Sequence, residues 1–324
     1  MDSPRKIFQT LKTAKKILIP FHLRPDGDMI GSALAIYHLL KDLGKDITLV
    51  STDPIPEIYF FLPSVKRIKN IDPANLNLSK FDLILILDGE ASSHFSKKQL
   101  NFPPQTILVN IDHHTNNHGF CDLNYVTPNA AAATEVIYDL IKYWRTKITP
   151  EIATCLLLGI YTDTGSFLYP PTSAKSFSAA ANLIRKGADR TKIVENSFRS
   201  WPQKVLKIWT YVLSNTKIRE GIAYSQIPFK ELHHLNFTAN NLSEARSFAT
   251  SNLLMGVKNI RIALLFTEES PKHIRVSLRS RGNLDISKIA ERMGGGGHKN
   301  AATFNYTGPL KEVMTKTLQA ASVI

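Results

Sequence analysis

Apolar positions along this chain fall into short continuous runs that alternate with longer stretches of helical spacing. Ile7, Phe8 and Leu11 repeat at helical intervals and predict an amphipathic helix over 4–15. Ile17-Leu-Ile-Pro-Phe21 reads as the first strand. A helix is expected from about Gly31, with Ile30, Ala33, Leu34, Tyr37 and Leu40 on one side and Gly44 as its stop. Residues 47–51 read as a second strand, and 53–70 as a mixed loop. Phe81-Asp-Leu-Ile-Leu-Ile-Leu87 carries the unbroken apolar run of a parallel strand buried on both faces. Residues 107–111 predict another strand, and helices are expected at 130–144, from Pro150 onward, and over 173–186 up to Gly187. This alternation predicts an α/β fold, a mostly parallel sheet with helices on both faces.

The pattern changes in the second half. Residues 190–216 mix polar and apolar positions at helical spacing, without a strand. Beyond them, strands are expected at 222–227, 260–267 and 274–279, and helices at 243–257, 285–293 and 310–318. The expected organisation is a larger α/β domain over 1–190, a helical linker over 191–216 and a smaller α+β domain over 217–324.

Length and composition agree with two soluble domains. A chain of 324 residues can bury a core in each. No run approaches the roughly 18 apolar residues of a membrane span. The segment from Met1 to Lys16 is charged and lacks the apolar core of a signal peptide. Cys121 and Cys155 have no metal-type spacing and read as reduced thiols of a cytoplasmic protein. The formal charge of +13 is spread along the chain and favours anionic partners such as nucleotides or RNA.

Candidate chemistry gathers where the apolar runs end. His22, Asp26 and Asp28 follow the first strand, Asp88 the strongest one, and Asp112, His113 and His114 the run at 107–111; Asp163 closes the apolar helix that starts at Pro150. In open α/β sheets, sites form beyond the carboxyl ends of the strands. Carboxylates gathered there need a positive charge among them. Carboxylate and imidazole donors without thiolate suit a harder divalent ion. Mn²⁺ is the expectation, with Mg²⁺ and Co²⁺ as the other candidates. Asp26 and Asp28 flank Gly27, so a tight turn could aim them at adjacent ions. The inventory suffices for two metals sharing a carboxylate. Such pairs, about 3.5–4 Å apart, serve in-line attack at phosphorus by a water held between them.

Five motifs carry a resemblance to a known family: His22-Leu-Arg-Pro-Asp-Gly-Asp-Met-Ile-Gly-Ser32, Leu87-Asp88-Gly89, Asp112-His113-His114, Thr162-Asp163-Thr164-Gly165 and Gly294-Gly-Gly-Gly-His-Lys-Asn-Ala-Ala302. Their order and spread over nearly the whole chain resemble the DHH phosphoesterase superfamily, in the branch with the DHH-associated C-terminal domain. The resemblance implies a catalytic first domain and a substrate-binding last one, which folds over the cleft. His22, Asp26 and Asp88 would hold one metal. Asp28, Asp88, His113 and Asp163 would hold the other, with Asp88 bridging. Asp112 would orient a ligand, and His114 would contact the phosphate or act as general acid.

The glycine motif has its own physical reading. Gly294, Gly295, Gly296 and Gly297 let backbone N–H groups approach a phosphate, and His298 and Lys299 add donors. Arg279 offers a forked contact to a phosphate. Thr303 departs from the small residue common in the family at that place. His233 and His234 read as a surface turn, and His38, His94 and His118 as solvated. Phe167 and Tyr169 either pack locally or stack on a base.

Within the superfamily, the chain resembles the stand-alone nanoRNase and pAp phosphatase group. That implies a hydrolase converting short oligoribonucleotides to mononucleotides, with dephosphorylation of 3′-phosphoadenosine 5′-phosphate as a second activity. The alternatives are a cyclic di-AMP or pApA phosphodiesterase and, in a different class, a non-catalytic nucleotide- or RNA-binding protein. Such a binder should lack a ligand, and none is missing. The family often forms homodimers; the sequence leaves the oligomeric state open.

Overall fold

In the computed structural model, residues 1–237 and 239–323 are described, without the side chains of 239–241, 244 and 298. The chain divides into two units, Met1–Ser200 and Trp201–Ile324.

The first unit is built on a parallel sheet of β1 (Lys16–Phe21), β2 (Asp46–Ser51), β3 (Lys69–Asn70), β4 (Leu83–Leu87), β5 (Ile107–Asp112) and β6 (Leu123–Val126). Its spatial order is β3-β2-β1-β4-β5-β6. Strand order therefore reverses between β1 and β4, the point where doubly wound sheets open a crevice at their carboxyl ends. Every residue of β4 is buried, and each such Leu or Ile side chain contributes roughly 1.5–3 kcal/mol of transfer free energy.

The helices of this unit are α1 (Pro4–Thr13), α2 (Gly27–Asp42), α3 (Ala133–Tyr143), α4 (Pro150–Asp163), α5 (Ala174–Arg185) and α6 (Arg190–Ser197). α2 and α4 are buried almost all round, as helices apolar on every side must be. Glycines let them touch: a Cβ on Gly31 would stand 2.4 Å from the Cys155 carbonyl oxygen. α2 begins at Gly27, ahead of the expected Gly31. The expected tight turn at Asp26-Gly27-Asp28 is instead a helix start, because the Asp26 carboxylate accepts the N–H groups of Asp28 and Met29. His38, expected to be solvated, is half-buried, with Nε2 3.4 Å from the Pro63 carbonyl oxygen.

The second unit carries β7 (Lys217–Arg219), β8 (Ile222–Ile227), β9 (Ile262–Ser270), β10 (His273–Ser280), β11 (Gly296–His298) and β12 (Ala301–Thr307), in the order β11-β12-β10-β9-β8-β7. β8 and β9 run parallel; the other neighbours are antiparallel. Its helices are α7 (Gln203–Ser214), α8 (Phe229–His234), α9 (Ala239–Phe248), α10 (Ser287–Arg292) and α11 (Leu310–Ser322). One face of the sheet packs Ala223, Ala263 and Leu265 under Val205, Ile208 and Leu254. The other packs Leu264, Val276, Leu278 and Phe304 against Ile289 and Val313.

Expectations change in this unit at three places, one of them the glycine run, part of which is strand β11. The helix expected over 243–257 is α9 followed by a π-helical segment at 249–254. His233 and His234 are exposed, as expected, but lie in the last turn of α8 rather than in a free turn.

Candidate metal centre

The parallel sheet brings the predicted donors to its carboxyl edge. β1 ends at Phe21 and delivers His22; β4 ends at Leu87 and delivers Asp88; β5 ends at Asp112, with His113 and His114 next. Asp26 caps α2, Asp28 lies in the first turn of that helix, and Asp163 is the last residue of α4. His22 and Asp88 thus flank the switch point between β1 and β4.

Asp88 divides its two oxygens between two groups of donors. On one side, His22 Nε2 lies 3.6 Å from Asp88 Oδ2 and 3.9 Å from Asp26 Oδ1. On the other, His113 Nε2 lies 3.4 Å from Asp88 Oδ1, 3.3 Å from Asp163 Oδ2 and 3.9 Å from Asp28 Oδ2. The donor atoms of His22, Asp26 and Asp88 fall within 4.8 Å of one another, as do those of Asp28, His113 and Asp163, and those of Asp88, Asp112, His113 and His114. Oδ1 of Asp88 is buried without a hydrogen-bond partner, and its backbone is held at a φ of 52°. A buried, unsatisfied carboxylate oxygen is costly unless a cation completes it. The residues fit a divalent ion.

The electrostatics point the same way. Burial pushes the Asp28 carboxyl up to about 7, with Asp88 adding to the rise. Burial also lifts Asp163 well above the usual carboxylate range, helped by Asp28 and Asp26. Burial opposes the charged form of His22, yet Asp88 and Asp26 outweigh it and raise this imidazole to about 9. Asp88, although buried, is held far below its ordinary value by His113 and His22. Without a cation, this cluster keeps protons that a metal would displace.

Asp112 and His114 form a pair beside these donors. Asp112 is fully buried; its Oδ1 lies 2.8 Å from His114 Nδ1 and accepts the His113 N–H at 2.7 Å. Oδ2 accepts from Asn117 Nδ2 at 2.6 Å. That same amide donates to Asn110 Oδ1 at 2.7 Å, and Asn110 Nδ2 donates to the Gly89 carbonyl at 3.1 Å. Sequence reasoning missed this network. Asn110 was visible as the one polar residue inside an apolar strand, whereas Asn117 carried no signal. It also missed Thr134, whose N–H and hydroxyl both bond to Asp28 Oδ1, and Gly159, where a Cβ would stand 2.3 Å from that oxygen.

The remaining predicted residues lie in the second unit. The glycine run is half of a hairpin: Gly296 pairs with Thr303, Gly297 with Ala302 and His298 with Ala301. The His298 side chain lies outside the described residues. Gly294 follows α10 at a φ of 77°. Gly295 is forced by packing, since a Cβ there would meet the Thr303 carbonyl oxygen at 2.3 Å. Lys299 is exposed, with Nζ donating to Asn283 Oδ1 at 3.2 Å. Arg279 lies on β10, in the same row as Ala301. Phe167 packs in the first unit, stacked on Phe177 and edge-on to Tyr161.

A parallel sheet with carboxylates and imidazoles converging on a shared cation site is the layout of a metal-dependent hydrolase. The family model described as DHH family, N-terminal domain, matches residues 16–160, and that of the DHHA1 domain matches 221–322. A Thermus thermophilus protein named bifunctional oligoribonuclease and PAP phosphatase NrnA is 31% identical, over 98% of this chain and 93% of its own. A cyclic-di-AMP phosphodiesterase GdpP of Geobacillus thermodenitrificans is 27% identical over 91% of this chain, which spans only 45% of that protein. The solved structure of an exopolyphosphatase-related protein from Bacteroides fragilis superposes with a TM-score of 0.85, at 25% identity, covering 98% of this chain and 94% of its own. The chain belongs to the DHH family of phosphoesterases, with a DHHA1 domain, and is a divalent-metal-dependent hydrolase of phosphoester bonds. Among the described residues, no helix is long and apolar enough to cross a membrane.

Proposed function

We propose that this protein hydrolyses short oligoribonucleotides to mononucleotides and also removes the 3′-phosphate of 3′-phosphoadenosine 5′-phosphate. The observation that carries this reading is the sharing of Asp88 between two donor groups, in a chain that is 31% identical to an oligoribonuclease and PAP phosphatase over nearly its whole length. His22, Asp26 and Asp88 would hold one divalent ion. Asp28, Asp88, His113 and Asp163 would hold a second, with Mn²⁺ best suited to these donors. When bound, the ions supply Lewis acidity at the reacting phosphate.

The side chains do the rest. The carboxylate of Asp28 is fixed from behind by Ala133 and Thr134, so it does not swing as substrate arrives. Asp112 engages His114 Nδ1 and, with Asp88, raises the imidazole against burial, so the ring would carry a proton on both nitrogens. The imidazolium would give its Nε2 proton to the leaving oxygen and be left as the neutral tautomer with Nδ1–H still on Asp112. The second unit would bind the substrate's phosphate through Arg279, Lys299, His298 and the glycine hairpin. The match to a cyclic-di-AMP phosphodiesterase favours a second reading, cleavage of cyclic or linear di-adenylates.

A product time course with Mn²⁺ separates them. The substrates are RNAs from two nucleotides upward, 3′-phosphoadenosine 5′-phosphate and cyclic di-AMP. Fastest loss of the shortest RNAs, with release of mononucleotides, is the expected result. Cleavage of di-adenylates alone would move the function to the second reading.

A further inference from the structure

Arg279 does not extend alone from its strand. Its Nε donates to Ser251 Oγ at 2.8 Å, its Nη2 to Ser247 Oγ at 3.2 Å, and its Nη1 to the Leu278 carbonyl at 2.9 Å. All three side chains, Arg279, Ser247 and Ser251, are half-buried and so within reach of solvent. The two serines stand on either side of the junction where α9 gives way to the π-helical segment at 249–254. A wider turn inserted in an α-helix shifts the residues around it, and such turns are frequent at functional sites.

The segment is itself tied to the sheet. Arg281, two residues along the chain from Arg279, donates to the Met255 carbonyl. Arg246 of α9 pairs with Glu269 of β9 at 2.7 Å. Arg279 also shares its row of the sheet with Ala301 and, one strand further, His298 of the glycine hairpin. The serines therefore orient a guanidinium that shares its row with the hairpin proposed to bind phosphate.

We infer that Ser247 and Ser251 are positioning residues, which fix the plane of the Arg279 guanidinium for a forked grip on a substrate phosphate. The inference rests on the proposed role of Arg279 in phosphate binding. Its physical basis is pre-organisation. A long side chain held by two hydroxyls loses less conformational freedom when it takes its ligand, and the planar fork binds well only in one orientation. Each serine bond to a charged group supports affinity rather than chemistry, so its loss appears in KM.

The test is steady-state kinetics on an RNA dinucleotide with Mn²⁺, in the full-length protein. The variants are Ser247→Ala with Ser251→Ala together, Ser251→Thr, Arg279→Ala, and Arg279→Ala combined with both serine changes. The double serine variant should raise KM roughly three- to tenfold, the scale of charge-assisted hydrogen bonds, with kcat changed less than about twofold. Ser251→Thr, which keeps the hydroxyl, should stay near the parent KM. The serine changes should add nothing once Arg279 is gone, an outcome that a merely structural role would not produce. A raised KM in Arg279→Ala alongside an unchanged KM in the double serine variant overturns the inference and leaves the role of Arg279 standing. An unchanged KM in Arg279→Ala overturns both. Serine effects that persist in the Arg279→Ala background also overturn it.

Discussion

Asp28 and Thr134, far apart in sequence, share a buried contact: Asp28 Oδ1 accepts both the backbone N–H and the hydroxyl of Thr134, at 3.0 and 2.6 Å. The residue before α3 is Ala132, which has no side chain to cap the helix, so Asp28 does it from α2. A carboxylate at a helix N-terminus is favoured by the unpaired N–H groups and the helix dipole. The carboxylate proposed to hold a metal is thereby fixed in place before any ligand arrives. Thr134→Val keeps the shape and removes one of these donors. It should cost about 1–3 kcal/mol of stability and weaken metal binding roughly 10- to 100-fold. Thermal denaturation and Mn²⁺ titration calorimetry would show this, and unchanged calorimetry would refute the link to the metal.

Asp88 is the residue both donor groups share. Asp88→Ala should therefore remove more metal than the loss of any ligand to one side only. The expected result is near-complete loss of turnover, with bound metal falling towards zero in elemental analysis. His22→Ala should instead leave one ion. Near-normal activity in Asp88→Ala would contradict the shared-ligand arrangement.

The pH dependence of the metal-free protein follows from its buried acids. Asp28 titrates at about 7 when folded, against an ordinary value of 3.8, because burial and Asp88 disfavour its charge. Asp163 moves the same way for the same reason. His22, raised from 6.5 to about 9 against burial by Asp88 and Asp26, also holds its proton longer in the folded state. All three bind protons that the unfolded chain has released, so stability falls as pH rises from about 4 through 9. Metal-stripped protein should melt at a higher temperature at about pH 6 than at about pH 8.5, and Mn²⁺ should raise the melting temperature more at the higher pH. A melting temperature that climbs with pH in the stripped protein would contradict the proposed origin.

Asn117 links Asp112 to the turn that carries Asp88, since its amide donates to Asp112 Oδ2 and its neighbour Asn110 holds the Gly89 carbonyl. Asn117→Ala leaves Asp112 Oδ2 without that donor, and the carboxylate that engages His114 loses one of its anchors. A roughly 10- to 100-fold fall in kcat is expected, with KM on a dinucleotide little changed. A loss confined to KM would show that the network does not serve the chemistry.

How legible this was in sequence depended on how far apart the partners lie. The end of each apolar run could be read residue by residue, so His22, Asp88 and Asp112 were expected at strand ends and are found there. Asp28 was seen as a candidate, but its anchor was not, because nothing local to Thr134 or Gly159 announces a carboxylate from another helix. Nothing in the sequence marks β11, because Gly296 and Gly297 have no strand propensity; pairing with Thr303 and Ala302 makes the strand. The apolar period of 243–257 predicts plain helix and does not mark where the turn widens at 249–254.

The glycine hairpin offers the sharpest contrast between neighbours. A Cβ added at Gly296 would meet nothing within 4 Å, and the backbone there is open to any residue type. Gly297 has a φ of 137°, and a Cβ there would stand 2.5 Å from the Ala301 carbonyl oxygen and 2.6 Å from the Ala302 Cα. The backbone of β12 cannot yield without breaking the register that pairs His298 with Ala301. Gly297→Ala should therefore destabilise the protein by about 1–3 kcal/mol through conformational strain and crowding, while Gly296→Ala should leave the melting temperature close to the parent. If the hairpin also contacts substrate through its backbone, Gly296→Ala will fold normally yet raise KM, because the added methyl stands where a phosphate would approach. Measuring melting temperature and KM on both variants separates the two requirements. Equal destabilisation by both would contradict the open space at Gly296, and an unchanged KM in Gly296→Ala would exclude a backbone contact to substrate there.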